Sequence, residues 1–102
     1  MNQRTVARIK SVLSTVNHEN AILFGSRAKG TAKAGSDYDI LLIMKRRIDH
    51  VEKMRISSFL RRELAKIGID ADILIKSKTE IEYYKDKIGN VTRAALEEGI
   101  AI

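Results

Sequence analysis

Three short, mainly apolar runs bounded by glycine, asparagine or charged residues constrain this chain more than any other feature of its sequence. They cover Ala21–Phe24, Tyr38–Met44 and Ile69–Ile75, and their length and apolar content predict buried strands. The first two runs lie too close together for a full helical crossover, which needs about 12 or more residues. We therefore expect these two strands to be antiparallel or joined by one short helix, in a mixed sheet.

Segments with helical spacing of apolar residues alternate with these runs. The predicted helices are Gln3–Val16, Ile48–Ile67 with Gly68 as its stop, Thr79–Ile88, and a last helix capped by Asn90 and ending near Glu98. Ser26–Gly35 reads as a loop, or as a short helix followed by a loop. The pattern predicts a single domain over residues 1–102 of α/β (α+β) class, a small mixed sheet flanked by helices.

Composition narrows the kinds of site this chain can hold. It has no cysteine, which excludes disulfides, zinc–thiolate sites and iron–sulfur clusters, and its two histidines, His18 and His50, are too far apart to suggest zinc. No run approaches the ~18 apolar residues of a membrane helix, and no signal segment is evident. We expect a soluble cytoplasmic protein, and the net charge of +6 favours a polyanionic partner.

Two aspartates, Asp37 and Asp39, lie two residues apart at the start of the second predicted strand. Because side chains alternate faces along a strand, we expect both carboxylates to point the same way. Neighbouring carboxylates repel each other, so a compensating positive charge is expected beside them. Mg²⁺ takes carboxylate and phosphate oxygens together, so the pair predicts a metal site for a nucleoside triphosphate.

The first predicted strand is followed by Gly25 and Ser26, which indicate a phosphate-binding turn. Glycine lets a ligand approach the main chain closely, turn amides form a concavity that accepts anions, and the Ser26 hydroxyl can donate to a phosphate oxygen. Arg27 is near, although the sequence does not tell which way it faces. A P-loop is a poor alternative, because Thr31 stands where its lysine is required.

The third predicted strand carries another pair of aspartates two residues apart, Asp70 and Asp72. If this strand lies beside the second, one of them completes a site for two-metal phosphoryl transfer. A polar outer strand face is the simpler explanation for this pair, and the residues themselves do not decide between Asp70 and Asp72.

Together these residues resemble the signature of DNA polymerase β-like nucleotidyltransferases, in particular the minimal nucleotidyltransferase (MNT) group. The resemblance rests on Gly25-Ser26, on Arg27-Ala28-Lys29-Gly30, on Gly35-Ser36-Asp37-Tyr38-Asp39, on Asp72-Ile73-Leu74-Ile75 and on the closing Ala94–Gly99. It covers nearly the whole chain. It implies a polymerase β-like fold and a Mg²⁺-dependent transferase that uses two Mg²⁺ ions and an NTP, commonly ATP.

Residue by residue, the resemblance implies that Asp37, Asp39 and Asp72 are catalytic metal ligands. It also implies that Gly25 and Ser26 hold the nucleotide, with Arg27 and Ser36 beside them. Many MNT proteins are similar to antitoxins of HEPN-domain toxins, which implies transfer of AMP to a hydroxyl group of such a toxin. The alternative is a non-catalytic antitoxin that masks its toxin. RNA is a less favoured partner, since the basic residues from Lys45 onward read mainly as a solvated surface.

Overall fold

The computed structural model describes residues 2–102, which contain five helices and four strands. The helices are α1 (Gln3–Leu13), α2 (Gly25–Lys29), α3 (His50–Lys66), α4 (Lys78–Tyr84) and α5 (Val91–Glu98). The strands are β1 (Asn20–Phe24), β2 (Tyr38–Met44), β3 (Ala71–Ser77) and β4 (Ile100–Ala101). No helix in this part of the chain is long and apolar enough to cross a membrane.

The four strands form one sheet in the order β3-β2-β1-β4. β2 is antiparallel to β1 and parallel to β3, and β4 pairs antiparallel with the other side of β1. The predicted mixed sheet is confirmed, and β1 and β2 are both antiparallel and joined by a short helix. α3 supplies the crossover that the parallel pair β2–β3 requires.

The larger hydrophobic core lies between one face of the sheet and the helices α1 and α3. Its fully buried members are Ile9 and Leu13 of α1, Leu23 of β1, Ile40 and Leu42 of β2, and Leu60 and Leu64 of α3. The four-residue spacing within each helix places these side chains on one helical face. Burial of one leucine of this kind stabilises the fold by about 1.5–3 kcal/mol.

α4 and α5 cover the opposite face of the sheet, where the core is smaller. It consists of Leu41 and Ile43 of β2 and Ala95 of α5, with half-buried neighbours around them. Because β2 alternates its side chains between two covered faces, all of the residues from Ile40 to Met44 are buried. The same alternation puts Asp39 on the face of Leu41 and Ile43, at the end of this smaller core.

Two helices are shorter than their apolar spacing predicts. α1 ends at Leu13 and not at Val16, and α4 ends at Tyr84 and not at Ile88. Beyond Leu13, the hydroxyls of Ser14 and Thr15 each donate to a main-chain carbonyl three residues earlier (2.7 Å), a local contact that competes with helix continuation. Ile88 is 91% exposed, so a longer α4 would bury no apolar surface there.

The sheet also differs from the prediction at its margins. β3 covers Ala71–Ser77 and not Ile69–Ile75, because Ile69 belongs to the turn that ends α3 and donates its N–H to the carbonyl of Leu64 (3.0 Å). Gly68 forms that turn with a φ of +79°, as a helix stop should. β4 was not predicted, since two residues are too few to produce a periodic pattern.

An ion pair joins α3 to the first turn of α4. The Lys53 ammonium lies 2.7 Å from each carboxylate oxygen of Glu80, which also accepts a hydrogen bond from the Ser77 N–H (3.1 Å). Partial burial raises the pKa of Glu80, but these hydrogen bonds and the charges of Lys53 and Lys76 outweigh burial and hold the pKa below its ordinary value. Ionised Glu80 therefore stabilises the folded chain.

Glu80→Gln is expected to make the free energy of unfolding less dependent on pH at acidic pH. A folded-state pKa below the unfolded value of 4.5 gives stability that is present above that pH and lost as the pH falls through the folded-state pKa. Near neutral pH the variant should lose up to about 1 kcal/mol through the ion pair with Lys53, because glutamine can keep the capping-box hydrogen bond. Urea unfolding between about pH 3 and 7 measures this. Glu97→Gln is the control, because it removes a charge in an exposed pair with Arg93. The same pH dependence of stability in both variants would contradict the prediction.

Candidate active site

The ends of three strands meet at one edge of the sheet. Asp39 of β2 lies opposite Phe24, the last residue of β1, and on its other side opposite Asp72 of β3. Because β1 is antiparallel to β2 whereas β3 is parallel to it, the end of β1 coincides with the starts of β2 and β3. The fold thus places Asp72 in register with Asp39, as the sequence analysis anticipated for one of the two later aspartates.

Gly25 follows β1 directly and lies against the Asp39 carboxylate. Its φ is +73°, in the left-handed region that favours glycine. A Cβ atom on Gly25 would collide with Oδ2 of Asp39 and lie 3.2 Å from its Cγ. The predicted phosphate turn and the predicted carboxylate pair are therefore neighbours, and only a residue without a side chain fits between them.

Ser26 occupies the first turn of α2, where no side chain caps the main-chain amides. Its side chain is half-buried. The first amides of a helix have no carbonyl partner within that helix and commonly bind an anion or water. Gly25 and Ser26 stand where a nucleotide phosphate would meet such donors, and their nucleotide contact stays a prediction.

The surroundings of Asp39 at this edge of the sheet change the pKa of its carboxylate. Burial raises the pKa of Asp39, and the nearby negative charges of Asp72 and then Asp37 raise it further. Asp37 precedes β2 and is exposed, yet it is close enough to act on Asp39. Asp39 therefore interacts with both of the other predicted carboxylates, and a cation bound beside it would relieve this repulsion.

Asp70 and Asp72 occupy different environments. Asp72 is paired with Asp39 across the two strands, whereas Asp70 precedes β3, and its main-chain carbonyl accepts a hydrogen bond from the N–H of Tyr38 (2.9 Å). Asp72 raises the pKa of Asp39, and Asp70 is not among the groups that do so. The geometry therefore favours Asp72 over Asp70 as the third carboxylate.

Arg27 and Ser36 organise the loop that leads into β2. Nε and Nη2 of Arg27 donate to the Ser36 carbonyl at 3.1 and 2.8 Å, and the guanidinium carbon lies 4.5 Å from the ring centre of Tyr38. The Ser36 hydroxyl accepts from the N–H of Lys33 (3.1 Å). Both residues thus position Asp37, which follows Ser36, and their direct contact with a nucleotide stays a prediction.

Arg27→Lys is expected to lower kcat for nucleotidyl transfer about tenfold to a hundredfold, because the forked hydrogen bond and the ring contact are lost and Asp37 shifts. It should also destabilise the fold by about 1–2 kcal/mol. Steady-state kinetics with ATP measure the effect, and Lys29→Gln in the same helix, which removes an exposed pair with Glu98, is the control. A fall in kcat at unchanged KM indicates positioning, whereas a rise in KM alone indicates direct nucleotide contact and contradicts this role.

The oxygen chemistry of this edge suits magnesium. Among residues 2–102, no three acidic or histidine side chains already form a complete metal-binding set. Mg²⁺ usually takes only one or two carboxylates and fills its other positions with phosphate oxygens and water. Asp37, Asp39 and Asp72, with their mutual repulsion, fit an ion that arrives with a nucleotide, and the two Mg²⁺ ions and ATP stay predictions.

Residues 7–94 match the family described as polymerase beta, nucleotidyltransferase. The chain belongs to this polymerase β nucleotidyltransferase family. The match includes the whole strand-end site, from Gly25 to Asp72, and agrees with the mixed sheet flanked by helices. No curated protein sequence is similar enough to this nucleotidyltransferase to count as a relative.

Solved structures share the fold of this nucleotidyltransferase. One is a chain of a toxin–antitoxin crystal structure with AMP-PNP, with TM-score 0.61, 15% identity, and coverage of 99% of this chain and 72% of that chain. Another comes from a variant of the toxin–antitoxin MntA–HpeT, with TM-score 0.58, 15% identity, and coverage of 100% and 72%. A third comes from tri-AMPylated Shewanella oneidensis HEPN toxin in complex with MNT antitoxin, with TM-score 0.54, 12% identity, and coverage of 95% and 70%. At these identities the likeness concerns the fold.

A groove beside the strand-end site was not predicted. It encloses about 420 Å³ and is lined by Asp37 and Asp70 and, from α3, by Ser58, Arg61 and Arg62. The arginines read as part of a solvated helix face in the sequence, and no local signal relates them to Asp37. Only the crossover of α3 along the sheet brings the two groups together.

Proposed function

We propose that this protein transfers a nucleoside monophosphate, AMP from ATP, to a hydroxyl group of a HEPN-domain toxin and thereby acts as its antitoxin. The observation that carries the proposal is the position of Asp39, opposite Asp72 and against the main chain of Gly25. Carboxylates beside an uncapped turn suit a metal-bound triphosphate, whereas a protein that only masks a partner needs neither feature. Membership of the polymerase β family supports nucleotidyl transfer as the class of reaction.

Each residue of the strand-end site has a proposed role. Asp37, Asp39 and Asp72 hold two Mg²⁺ ions, which when bound neutralise phosphate charge and lower the pKa of the attacking hydroxyl. The main-chain amide of Gly25 and the hydroxyl of Ser26 donate to phosphate oxygens. Donors that are already in place when the nucleotide arrives would stabilise the charge of the transition state.

The proposed step is an in-line displacement at the α-phosphorus of ATP. The acceptor hydroxyl oxygen forms a new bond to this phosphorus, while the bond from the phosphorus to the oxygen that bridges to the β-phosphate breaks. Pyrophosphate leaves with that electron pair. The hydroxyl proton passes to a carboxylate of the site, for which Asp72 is the proposed acceptor, and then to solvent.

The proposed nucleotide and acceptor draw their support from proteins of similar fold. One such structure holds AMP-PNP, and another is a tri-AMPylated HEPN toxin in complex with MNT antitoxin. An ATP substrate and a protein acceptor would account for both. The conformation of Gly25 and the register of Asp39 with Asp72 are the properties of this chain that such chemistry would use.

The test is label transfer from α-labelled ATP to a purified HEPN-domain protein in the presence of Mg²⁺. Asp70→Asn and Asp72→Asn form a matched pair of variants with the same change of charge, two residues apart. We expect transfer by the wild-type protein and by Asp70→Asn, and a loss of about a hundredfold or more in Asp72→Asn. Equal activities in the two variants would contradict the assignment of Asp72.

The same experiment separates catalysis from masking. If the HEPN protein gains no label, yet binds the wild-type chain tightly and loses its toxicity, the masking alternative replaces the proposed transfer. Label that appears on the HEPN protein in the wild-type reaction and disappears in Asp72→Asn supports the proposal and identifies the acceptor.

A further inference from the structure

We propose that a single-stranded nucleic acid binds along the exposed edge of the sheet, in a track between α3 and α4. The β3 track, as we name it, is lined by Arg61, Arg62, Ser58, Lys53, Lys76, Arg47 and Tyr83. It begins beside the groove of Asp37 and ends at the tyrosines of α4. This binding is separate from the proposed transfer of AMP and does not depend on it.

Two of the three hollows that make up the track share lining residues. The groove next to Asp37 shares Ser58 and Arg61 with a second groove of about 390 Å³, which extends along β3 to Lys53 and Lys76. The Lys76 ammonium lies 4.9 Å from the ring centre of Tyr84, and Tyr84 lines a third hollow together with Arg47, Glu80 and Tyr83. A ligand in the first groove can therefore extend into the second, and Lys76, which lines the second groove, contacts a ring that lines the third hollow.

Positive charge exceeds negative charge along the track. Arg61 and Arg62 form no ion pair with any of residues 2–102. Lys53 and Lys76 lie 2.7 and 3.9 Å from the carboxylate oxygens of the same residue, Glu80, so one negative charge is shared by two ammonium groups. A row of incompletely neutralised cations is the property that binds a phosphate backbone.

Aromatic surface stands at the end of this row. The side chain of Tyr83 is 63% exposed and packs edge-on against Tyr84, with ring centres 4.9 Å apart. The Lys87 ammonium lies 4.6 Å from the ring centre of Tyr83. Exposed aromatic rings among cations are the usual way in which proteins bind single strands, since the bases stack while the phosphates meet the charges.

These observations favour a nucleic acid over an acidic protein segment. The seven residues of β3 extend over roughly 20 Å at about 3.3 Å per residue. Several nucleotides of a single-stranded nucleic acid can lie along this length. An acidic peptide would use the cations but would gain little from an exposed tyrosine. Asp37 and Asp70 repel phosphates at the opposite end and so limit the track there.

The test is fluorescence anisotropy with a labelled 12-nucleotide single-stranded RNA, without ATP or metal, at several salt concentrations. Arg61→Gln/Arg62→Gln should weaken binding about tenfold and make the slope of log K against log salt shallower by about 1.4, if each arginine meets one phosphate. Arg4→Gln/Lys10→Gln on α1 removes the same charge outside the track and should change the affinity less than about twofold. Tyr83→Ala should weaken binding about fivefold or more, and Tyr83→Phe should not.

Three results would overturn the proposal. They are no binding at about 50 mM salt, equal losses in the α3 and α1 double variants, and competition by a poly-glutamate peptide that Tyr83→Ala does not alter. The last result would assign the track to an acidic protein. Repeating the measurement in Asp39→Asn keeps the two proposals apart, because a variant that has lost transfer should still bind the RNA.

Discussion

Asp39→Asn should abolish nucleotidyl transfer and at the same time make the fold more resistant to unfolding. The loss of transfer should reach about a thousandfold, because an amide is a poor ligand for Mg²⁺ and the central carboxylate of the site disappears. The gain in stability follows from the electrostatics, since burial and the charges of Asp72 and Asp37 all disfavour ionised Asp39. An active site that opposes folding is one in which function, and not stability, has selected the residues.

The pH dependence of the folding stability tests the same electrostatic effect independently. The folded-state pKa of Asp39 lies above its ordinary value of 3.8, so the folded chain holds this proton more tightly than the unfolded chain does. Its contribution to stability is therefore greatest at low pH and is lost as the pH rises through the folded-state pKa. In Asp39→Asn that loss should be absent, and the difference between the two proteins should grow from about pH 4 towards neutral pH.

Thermal unfolding and label transfer, measured on the same protein samples, test both parts. Asp86→Asn makes the same change of charge after α4, far along the chain from the site, and should leave both properties nearly unchanged. Addition of Mg²⁺ with ATP should raise the unfolding temperature of the wild-type protein more than that of Asp39→Asn. A destabilised Asp39→Asn would show that the carboxylate is structural, and a variant that keeps its activity would contradict its role as a metal ligand.

Gly25→Ala adds a single methyl group to the strand-end site and should strongly reduce both stability and transfer. Alanine in the left-handed region costs about 1–2 kcal/mol by itself, and the new Cβ would collide with Oδ2 of Asp39. The collision should add about 1–3 kcal/mol, as overpacking usually does. Transfer should fall about a hundredfold or more, since the Asp39 carboxylate must move away from the turn.

Gly30→Ala is the matched control because it isolates the conformational part of this effect. Gly30 has a φ of +74°, against +73° for Gly25, but no atom lies within 4 Å of the position of its Cβ. Gly30→Ala should therefore lose only the stability that a left-handed alanine costs, about 1–2 kcal/mol. It should keep most of its activity. Chemical unfolding of the two variants measures the difference, which is the free energy of the close approach between the turn and Asp39.

A double variant then locates the source of the collision. In Gly25→Ala/Asp39→Ala the carboxylate is gone, so the added destabilisation should shrink towards that of Gly30→Ala. The coupling between the two sites should be about 1–2 kcal/mol, as expected for residues in contact. Additive effects, or equal losses in the Gly25 and Gly30 variants, would contradict the proposed contact.

Much of the fold could be predicted from local chemistry. The β2 strand was predicted with its observed bounds, and Gly68 and Asn90 end and begin helices as their conformational preferences dictate. Residues such as these act through their own backbone or a neighbour two or three positions away, so the sequence contains the whole cause. The ends of α1 and α4 were predicted too far along the chain, because apolar spacing alone does not tell where burial stops.

The sequence by itself determined the chemical kinds of residue at the site: a glycine–serine turn, a pair of aspartates two residues apart, and a later pair of which one member is needed. The residues alone could not place Asp70 and Asp72 relative to Asp39, orient Arg27, or relate Arg61 and Tyr83 to one surface. Those outcomes were decided by the parallel pairing of β2 with β3 and by the path of α3 across the sheet. Contacts between residues far apart in the chain depend on strand register and helix packing, which no short stretch of sequence encodes.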